Sequence, residues 1–352
     1  MSKNPILEED LRFITSSPLP WERFHNKTIL ITGASGFLPA YMVETLLYLN
    51  DVRKLCCKVV GLVRNLEKAK QRFQDHLERT DFNLIQGDVS QKQPWQNRFD
   101  FIIHAASQAS PKYYGVDPVG TMTANILGSI HLLNHAKEMG CEGFLFFSSG
   151  DVYGTPKNIP TSESDYGFIE INDVRSCYGE SKRAAETLGI CYAKQFGVPY
   201  VAVRPSHTYG PGMSLDDGRV FADFVRDVLQ EKDLELHSDG TAIRSFCYLS
   251  DAVIGYFTVL LLGKIGCSYN VGNPQGAISV KDLAEIMSTL GLKGKLNIKF
   301  SGKKPDGYIT SPVSIGIPDV TLLNGLNWRP TMLPKEGFTR TINFLRWELE
   351  NR

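Results

Sequence analysis

The fold of this chain is decided by the stretch Thr28-Ile-Leu-Ile-Thr-Gly33-Ala-Ser-Gly36-Phe-Leu-Pro39. A short β-branched strand, Thr28 to Thr32, runs into a glycine turn, and an apolar helix is predicted from about Ala40 to Leu49. Unpaired N–H groups and the helix dipole favour an anion at such a helix N-terminus, so the turn predicts a pyrophosphate site. Pro39 stands where a third glycine usually allows close helix–strand packing, but proline is tolerated in a first helical turn.

Outward from this turn, short β-branched runs alternate with longer amphipathic stretches. The further predicted strands are Lys58-Val-Val-Gly-Leu-Val63, Phe101-Ile-Ile-His104, Gly143-Phe-Leu-Phe-Phe147 and Tyr200-Val-Ala-Val203. This alternation indicates βαβ units and predicts an α/β fold of the Rossmann type, a doubly wound parallel sheet with helices on both faces.

The pattern changes at both ends of the chain. Leu7, Leu11 and Ile14 have helical spacing before a break at Ser16-Ser-Pro-Leu-Pro20, which predicts a short helical extension over residues 1–20. The Rossmann domain is then expected over residues 21–203. Strict alternation fades beyond residue 204, so residues 204–352 are expected to form mainly a smaller substrate-binding lobe, with some segments returning to the sheet.

Composition excludes several classes of function. The chain has 352 residues, 42% of them hydrophobic, and a formal net charge of zero, which gives no electrostatic case for nucleic acid or an anionic membrane. No apolar run reaches the ~20 residues of a membrane helix, and we expect a cytoplasmic protein without a membrane partner. The seven cysteines form neither zinc nor redox spacings, so no metal is expected.

The chemistry is indicated by Ser176-Cys-Tyr-Gly-Glu-Ser-Lys182. Residues four apart share a helix face, so the ammonium of Lys182 should lie beside the phenol of Tyr178. A neighbouring cation lowers a phenol pKa from its ordinary value near ~10, which would make Tyr178 a base for a sugar hydroxyl. This spacing alone is weak evidence, but with the glycine turn upstream it predicts a nicotinamide enzyme.

The choice of nicotinamide cofactor stays open in the sequence. Sites that prefer NAD commonly carry a carboxylate after the second strand, whereas this chain has Val63-Arg64-Asn65, and Arg64 could instead meet the 2′-phosphate of NADP. Farther on, Gly87-Asp88-Val89 follows another apolar strand, which suits a carboxylate beside an adenine ring.

From about residue 27 to 345 these motifs resemble the extended short-chain dehydrogenase/reductases that modify nucleotide-activated sugars. The matching motifs are the glycine turn, His104-Ala-Ala-Ser107, Ser148-Ser-Gly-Asp-Val-Tyr-Gly154, the Tyr178/Lys182 pair, Arg204-Pro-Ser-His-Thr-Tyr-Gly-Pro211 and Arg244-Ser-Phe-Cys-Tyr-Leu-Ser-Asp251. Within the family, Ala106-Ser-Gln-Ala-Ser-Pro111 and Asp217-Gly-Arg-Val-Phe221 look most like UDP-glucuronate decarboxylases, followed by dTDP-glucose 4,6-dehydratases.

The resemblance implies roles for individual residues. Those expected to bind NAD, or possibly NADP, are Gly33, Ser35, Gly36, Phe37, Leu38, Arg64, Asp88, Val89, Ala105, Ala106, Tyr178 and Lys182. The expected catalytic residues are Tyr178, Lys182, Ser149 and Asp151. Ser107, Ser110, His207, Arg219 and Arg244 are expected to bind a nucleotide-diphosphate sugar, the two arginines at its phosphates. A homodimer is expected through the helix around Asn125 to Lys137 and the helix of Tyr178.

The resemblance also implies transient oxidation at the sugar C4. Tyr178 would take the C4 hydroxyl proton while hydride passes to the nicotinamide, with Ser149 hydrogen-bonded to the same oxygen. Dehydratases carry an Asp-Glu pair where this chain has Gly150 and Asp151, so the acid is absent and a shorter carboxylate remains. Decarboxylases carry an Arg-Lys-Pro-Asp run where this chain has Ile315-Gly-Ile-Pro-Asp319.

An epimerase needs the fewest additional groups, and dehydration or decarboxylation remain alternatives. Inversion at C4 requires only that the keto sugar rotate, whereas inversion at C3 or C5 needs a base such as Asp151 and a proton donor, for which Cys177 and His207 are candidates. Two further alternatives are a sensor that binds cofactor without catalysis and a net reductase that consumes NADPH. A sensor has no use for the activated phenol of Tyr178.

Overall fold

The protein is described by a computed structural model covering residues 4–302 and 313–351. Its helices are α1 (Pro5–Ser16), α2 (Phe37–Arg53), α3 (Leu66–Arg72), α4 (Pro118–Met139), α5 (Ser176–Phe196), α6 (Val220–Leu229), α7 (Leu249–Leu262), α8 (Val280–Ser288), α9 (Thr321–Asn324) and α10 (Pro334–Asn351). Its strands are β1 (Thr28–Thr32), β2 (Lys58–Val63), β3 (Phe82–Gln86), β4 (Phe101–His104), β5 (Gly143–Phe147), β6 (Tyr200–Pro205), β7 (His207–Tyr209), β8 (Leu234–Leu236), β9 (Ile243–Tyr248), β10 (Ser268–Val271), β11 (Ala277–Ser279), β12 (Ile298–Phe300) and β13 (Ile315–Gly316).

A seven-stranded parallel sheet forms the main body, with strand order β10-β6-β5-β4-β1-β2-β3. The chain winds outward from β1 through β2 and β3, then returns to β4 and continues in the opposite direction. Strands β4 and β5 are buried along their whole length, as expected of a sheet covered by helices on both faces. The predicted doubly wound fold is confirmed.

Helix α2 is longer than its sequence pattern predicted. It begins at Phe37, directly after Gly36, and ends at Arg53, where Lys54 adopts a left-handed conformation. The expected start near Ala40 was three residues late because Pro39 itself belongs to the helix. Its missing N–H has no intrahelical partner in this first turn, so proline does not interrupt the hydrogen bonding.

The N-terminal extension packs on the body as helix α1. Its apolar face, including Leu7 and Ile14, joins the hydrophobic core beneath α2 and α7. The buried carboxylate of Asp10 accepts hydrogen bonds from the Tyr41 hydroxyl of α2 at 2.9 Å and from the Tyr248 hydroxyl at 2.8 Å. The extension is thereby bonded to both halves of the molecule.

Residues beyond 204 build a second hydrophobic core around β9. Strand β9 pairs with β7, β11 and β13, and aromatic side chains from this sheet and from α6 and α10 fill the core. In the parallel pairing of β7 with β9, His207 lies opposite Phe246, so the lobe brings His207 and the strand of Arg244 side by side. Strand β10 leaves the lobe to pair with β6 at the edge of the main sheet.

Candidate active site

The glycine turn lies where the ends of β1 and β4 meet. Gly33 has a φ of +65°, and a Cβ atom there would stand 2.8 Å from the Cα atom of Ala106. The Ala106 N–H donates to the Thr32 hydroxyl at 3.1 Å, which holds Ala105 and Ala106 against the turn. Gly36 precedes the first residue of α2, whose N–H groups point into the turn. The remaining turn residues expected at the cofactor, Ser35, Phe37 and Leu38, are partly buried.

Arg64 and Asp88 follow the adjacent strands β2 and β3, at the same sheet edge as the glycine turn. Asp88 is held by its own loop, since one carboxylate oxygen accepts from the N–H and the hydroxyl of Ser90, both at 2.8 Å. Val89 is buried beside Gly128 of α4. Arg64 is exposed at the rim, which is a suitable position for meeting a cofactor ribose.

Ser149 and Tyr178 come together although they are far apart in sequence. Ser149 follows β5 and begins a short 3₁₀ helix, where its hydroxyl accepts from the Asp151 N–H at 3.2 Å. Tyr178 lies in the first turn of α5, and its phenol is hydrogen-bonded to the Ser149 side chain. The C-terminal end of β5 and the N-terminal end of α5 thus place the hydroxyl groups of Ser149 and Tyr178 beside each other.

The expected effect of Lys182 on the Tyr178 phenol is wrong for this structure. Burial raises the pKa of Tyr178 well above its usual range and the charge of Asp151 raises it further, whereas the Ser149 hydrogen bond and Arg219 oppose the shift. The Lys182 ammonium does lie on the same face, 5.6 Å from the Tyr178 ring centroid, but it stands over the ring. The spacing correctly predicted the shared face but gave no information on burial.

Lys182 is itself buried and strongly perturbed. Its ammonium donates to the Phe147 carbonyl oxygen at 2.6 Å and lies 4.7 Å from the Phe146 ring centroid. Burial lowers the pKa of Lys182 to about 7, while the negative charge of Glu186, one turn along α5, opposes that change. A small change in local charge therefore decides whether Lys182 is an ammonium or an amine at neutral pH.

The two positions after Ser149 differ in what they offer a substrate. Asp151 is exposed, and its charge acts on Tyr178. At Gly150 the nearest described atom to an added Cβ is the carbonyl oxygen of Pro205, at 3.8 Å, so this position contributes space without a functional group. Of the two positions that correspond to the Asp-Glu pair of dehydratases, only Asp151 therefore supplies a carboxylate.

His207 and two arginines lie on the side of the C-terminal lobe. The His207 ring packs between Phe221 and Phe246, and burial, reinforced by the charges of Arg244 and Arg219, lowers its pKa to about 3. His207 is thus a neutral imidazole at physiological pH. Cys177 beside Tyr178 is also buried, and burial raises the pKa of its thiol.

The two arginines are held by backbone carbonyl groups. Arg244 donates to the carbonyl oxygens of Val313, at 2.8 Å, and of Ser314, at 3.1 Å. Arg219 precedes α6 and donates to the Ala109 carbonyl oxygen at 3.0 Å. Both guanidinium groups influence His207, which indicates a positively charged wall on this side of the site.

The loop after β4 carries the two expected substrate-binding serines and a residue that the sequence analysis missed. Ser110 donates to the Asp217 carbonyl oxygen at 2.6 Å, and the buried Ser107 hydroxyl has no hydrogen-bond partner among the described residues. Tyr114 lies in the same loop with its ring stacked on Tyr178, centroids 5.0 Å apart and planes inclined by 17°. No spacing rule points to such a contact, because the two rings come from separate elements.

Among residues 4–302 and 313–351 there is no group of three or more His, Cys, Asp or Glu side chains that could hold a metal ion. In the same residues, no helix combines the length and the apolar character needed to cross a bilayer.

The fold and the site agree with the protein family that sequence comparison assigns to the chain. The family model described as "NAD dependent epimerase/dehydratase family" matches residues 29–272, and the chain belongs to that family. It is 34% identical over 324 residues to UDP-glucuronic acid decarboxylase 6 of Arabidopsis thaliana, covering 91% of this chain and 90% of that protein. The predicted family, fold class, enzymatic nature and NAD dependence are thereby confirmed.

Two solved structures of similar fold contain NAD. One is UDP-glucuronic acid 4-epimerase of Bacillus cereus with UDP-glucuronic acid and NAD, with a TM-score of 0.76 and 23% identity, covering 91% of this chain and 99% of that one. The other is dTDP-glucose 4,6-dehydratase of Bacillus anthracis with NAD, with a TM-score of 0.75 and 19% identity, covering 93% and 97%.

The residues present fit a nicotinamide dinucleotide. At Gly33 any side chain would collide with the Ala106 backbone, so a residue without a side chain is needed for the turn to pack against the end of β4, as a dinucleotide-binding turn requires. The buried ammonium of Lys182 supplies a hydrogen-bond donor for a ribose at the far end of the same sheet edge. These two features suit the central pyrophosphate and the nicotinamide ribose of a dinucleotide.

Proposed function

We propose that this protein epimerises a nucleotide-diphosphate sugar at C4 through transient oxidation of that carbon. The observation that carries the proposal is the hydrogen-bonded pair of Ser149 and Tyr178, with Lys182 on the same helix face, at the sheet edge that also holds the glycine turn. This arrangement offers a proton acceptor and a hydrogen-bond donor to one hydroxyl group.

The proposed cofactor contacts extend along the sheet edge. Gly33, Ser35, Gly36, Phe37 and Leu38 would hold the pyrophosphate, while Ala105 and Ala106 would line the space beside it. The adenosine end would meet Arg64, Asp88 and Val89, and the ribose of the nicotinamide would meet Tyr178 and Lys182. Bound NAD accepts a hydride and later returns it. NADP remains an alternative at Arg64, which a comparison of the two dissociation constants would decide.

The chain's own groups would move the proton. Tyr178 takes it from the C4 hydroxyl, and Ser149 stays hydrogen-bonded to the same oxygen as the carbonyl forms. Because burial raises the pKa of Tyr178, the phenol keeps this proton until the C4 alkoxide, a stronger base, forms in the second half of the reaction. Proton removal in the first half requires positive charge near the phenol, which Arg219 provides.

The groups around this pair favour inversion at C4 over the other reactions. Dehydration lacks an acid at Gly150, and inversion at C3 or C5 lacks a charged proton donor because His207 is neutral. Inversion at C4 needs neither group, since the keto sugar only has to turn before hydride returns. Ser107, Ser110, His207, Arg219 and Arg244 are proposed to hold the nucleotide sugar, the arginines at its diphosphate.

Decarboxylation of UDP-glucuronate is the second candidate. The 34% identity to a UDP-glucuronic acid decarboxylase over 91% of the chain favours it. Against it stands the segment Ile315–Asp319, which supplies no arginine where the resembling decarboxylases carry one. Asp151, in contrast, is a carboxylate available to either reaction.

The test is incubation of the protein with a panel of nucleotide sugars in deuterated water, followed by mass spectrometry and analysis of the sugar. An isomer without deuterium supports C4 epimerisation. Loss of carbon dioxide or water would overturn it in favour of a decarboxylase or dehydratase. Tyr178→Phe should abolish turnover while the protein still binds NAD, whereas a non-catalytic sensor would be unaffected by this change. A net reductase would differ from both, because it would consume NADPH in every turnover.

We also propose that the protein forms a homodimer through α4 and α5. The two helices pack against each other and carry exposed apolar side chains, including Val119 and Leu127 on α4 and Ile190 on α5. Sedimentation analysis should give twice the chain mass, and Val119→Glu should shift the equilibrium toward monomer, whereas Val52→Glu on α2 should not.

A cytoplasmic location of the protein stays a prediction.

A further inference from the structure

The loop after β4 contains a side chain that touches the proposed proton acceptor without belonging to any recognised motif. The Tyr114 ring stacks on the Tyr178 ring, with centroids 5.0 Å apart and an interplanar angle of 17°. Tyr114 is almost fully buried and, with Cys177 and Tyr178, forms a small hydrophobic cluster separate from the three larger cores. The Tyr178 ring therefore rests on Tyr114 rather than on the main sheet core.

The Tyr114 hydroxyl is anchored at the same atom that receives Arg219. It donates to the Ala109 carbonyl oxygen at 3.1 Å, and Arg219 donates to that oxygen through Nη2 at 3.0 Å. Arg219 belongs to the loop that leads into α6 of the C-terminal lobe. One carbonyl oxygen thus connects the lobe to the aromatic stack.

Further contacts hold the two loops together. Ser110 donates to the Asp217 carbonyl oxygen at 2.6 Å, and the Lys112 ammonium donates to the Asp216 carbonyl oxygen at 2.6 Å. These contacts join the loop around Arg219 to the loop of Tyr114.

We propose that Tyr114 is a positioning residue that holds the Tyr178 ring in place and couples it, through the Ala109 carbonyl, to Arg219 of the C-terminal lobe. This inference rests on the proposed function, in which Tyr178 exchanges a proton with the sugar and Arg219 contacts the diphosphate. Sugar binding at Arg219 then reaches the proton acceptor through two hydrogen bonds and one ring contact. The coupling explains why an aromatic residue with a hydroxyl occupies position 114.

The ring also shields the phenol from water. Tyr178 is faced by Asp151 and Ser149 from the segment after β5, by Lys182 of its own helix, by Arg219 from the C-terminal lobe, and by Tyr114. Burial is the largest cause of its raised pKa, so removal of the Tyr114 ring should admit water and lower that pKa.

The test compares Tyr114→Leu, Tyr114→Phe and the control Tyr113→Leu in the NAD-loaded protein. Tyr113 is the neighbouring residue, but it is 40% exposed and its ring lies near Lys112. Tyr114→Leu should lower kcat by about tenfold or more, since a displaced acceptor loses its alignment, and should move the acid limb of the kcat profile to lower pH. The dissociation constant of NAD should not change.

Tyr114→Phe separates the two parts of the inference. It keeps the ring and loses the donation to Ala109, so kcat should stay near the wild-type value while KM for the nucleotide sugar rises about two- to tenfold. If Tyr114→Leu does not fold, Tyr114→Met replaces it, because a flexible side chain of similar length fills the space without a ring face. A Leu or Met variant with the wild-type kcat and pH profile would overturn the inference, as would an equal loss in Tyr113→Leu.

A measurement without turnover distinguishes this inference from the proposed function. The ionisation of Tyr178 is obtained from tyrosinate absorbance as the difference between each protein and its Tyr178→Phe counterpart. Ionisation at lower pH in Tyr114→Leu supports positioning even if no nucleotide sugar is converted, in which case only the proposed function fails. Unchanged ionisation beside normal epimerase activity would overturn the positioning role alone.

Discussion

The Tyr178 phenol lies in an environment with opposing effects on its charge. Burial and Asp151 favour the protonated form, while the Ser149 hydrogen bond and Arg219 favour the phenolate. The acid–base behaviour of the site therefore depends on a few neighbours rather than on the Tyr–Lys spacing alone. Asp151 is the neighbour whose removal best separates the possible reactions.

Asp151→Asn should keep turnover if the reaction is inversion at C4. Loss of the negative charge lowers the pKa of Tyr178, so the acid limb of the kcat profile should move to lower pH. The measurement is kcat against pH for the variant, the wild type and Glu180→Gln, which removes a carboxylate on α5 instead. Complete loss of turnover in Asp151→Asn alone would instead assign this carboxylate to proton removal at carbon.

The glycine turn requires a residue without a side chain at Gly33. Gly33→Ala would place a Cβ atom 2.8 Å from the Ala106 Cα atom at a φ of +65°, so the backbone must shift at the proposed pyrophosphate site. We expect the dissociation constant of NAD to rise at least about tenfold by fluorescence titration.

Gly140→Ala is the matched control for this change. Gly140 also has a positive φ, +73°, but a Cβ there meets no described atom within 4 Å. Its substitution should reduce stability slightly and leave NAD binding unchanged. Similar weakening of NAD binding in both variants would contradict the role assigned to Gly33.

At the scale of secondary-structure elements, a buried ion pair joins α5 to β6. Arg204 donates to Glu186 through Nε at 2.9 Å and through Nη2 at 2.6 Å. Burial alone would raise the pKa of Glu186, but the hydrogen bonds and charge of Arg204 outweigh burial and hold that pKa below its usual range. The pair fixes the helix that carries Tyr178 and Lys182 against the sheet.

Glu186→Gln should lower the free energy of unfolding by about 3 kcal/mol, because it leaves Arg204 as a buried charge without its counterion. Glu180→Gln, which breaks a partly exposed pair on the same helix, should cost less than about 1 kcal/mol. Since the pKa of Glu186 is lowered in the folded state, its contribution is present above the ordinary value of 4.5 and declines below it. In urea unfolding, a gap between variant and wild type that widens on acidification would contradict this assignment.

At the scale of the whole molecule, α1 connects the cofactor half to the C-terminal lobe. Asp10 accepts from Tyr41 of α2 and from Tyr248 at the end of β9, and Arg340 of α10 donates to it at 2.7 Å. Elements from both ends and the middle of the chain thus meet at one buried carboxylate. Relative placement of the glycine turn and the Arg244 strand depends on this junction.

Asp10→Ala should lower the free energy of unfolding by about 3 kcal/mol, because two buried hydroxyl groups and a guanidinium lose their shared acceptor. The control is Glu9→Ala, which removes another carboxylate paired with Arg340. Glu9 is 56% exposed, so this change should cost less than about 1 kcal/mol. Equal losses for the two variants in denaturant unfolding would show that the junction contributes no more than a surface ion pair.

Local patterns in the sequence were sufficient for the central strands of the sheet, the glycine turn and the shared face of Tyr178 and Lys182. Strand runs, turn glycines and four-residue helical spacing depend on neighbours along the chain, and Thr28 to Gly36 carries the first two within nine positions. The predicted bounds of α2 were wrong at both ends, and the error at its start arose where Pro39 allowed two structural interpretations.

Only the tertiary structure decided the protonation of Tyr178, the neutral state of His207 and the contact of Tyr114 with Tyr178. Each depends on burial or on a partner from a distant part of the chain, as with Arg219, whose donation to Ala109 crosses 110 positions of sequence. Desolvation and long-range contacts have no local signature because they arise when separate elements pack together. The sequence by itself determined which groups the site has, and packing determined their charge and their neighbours.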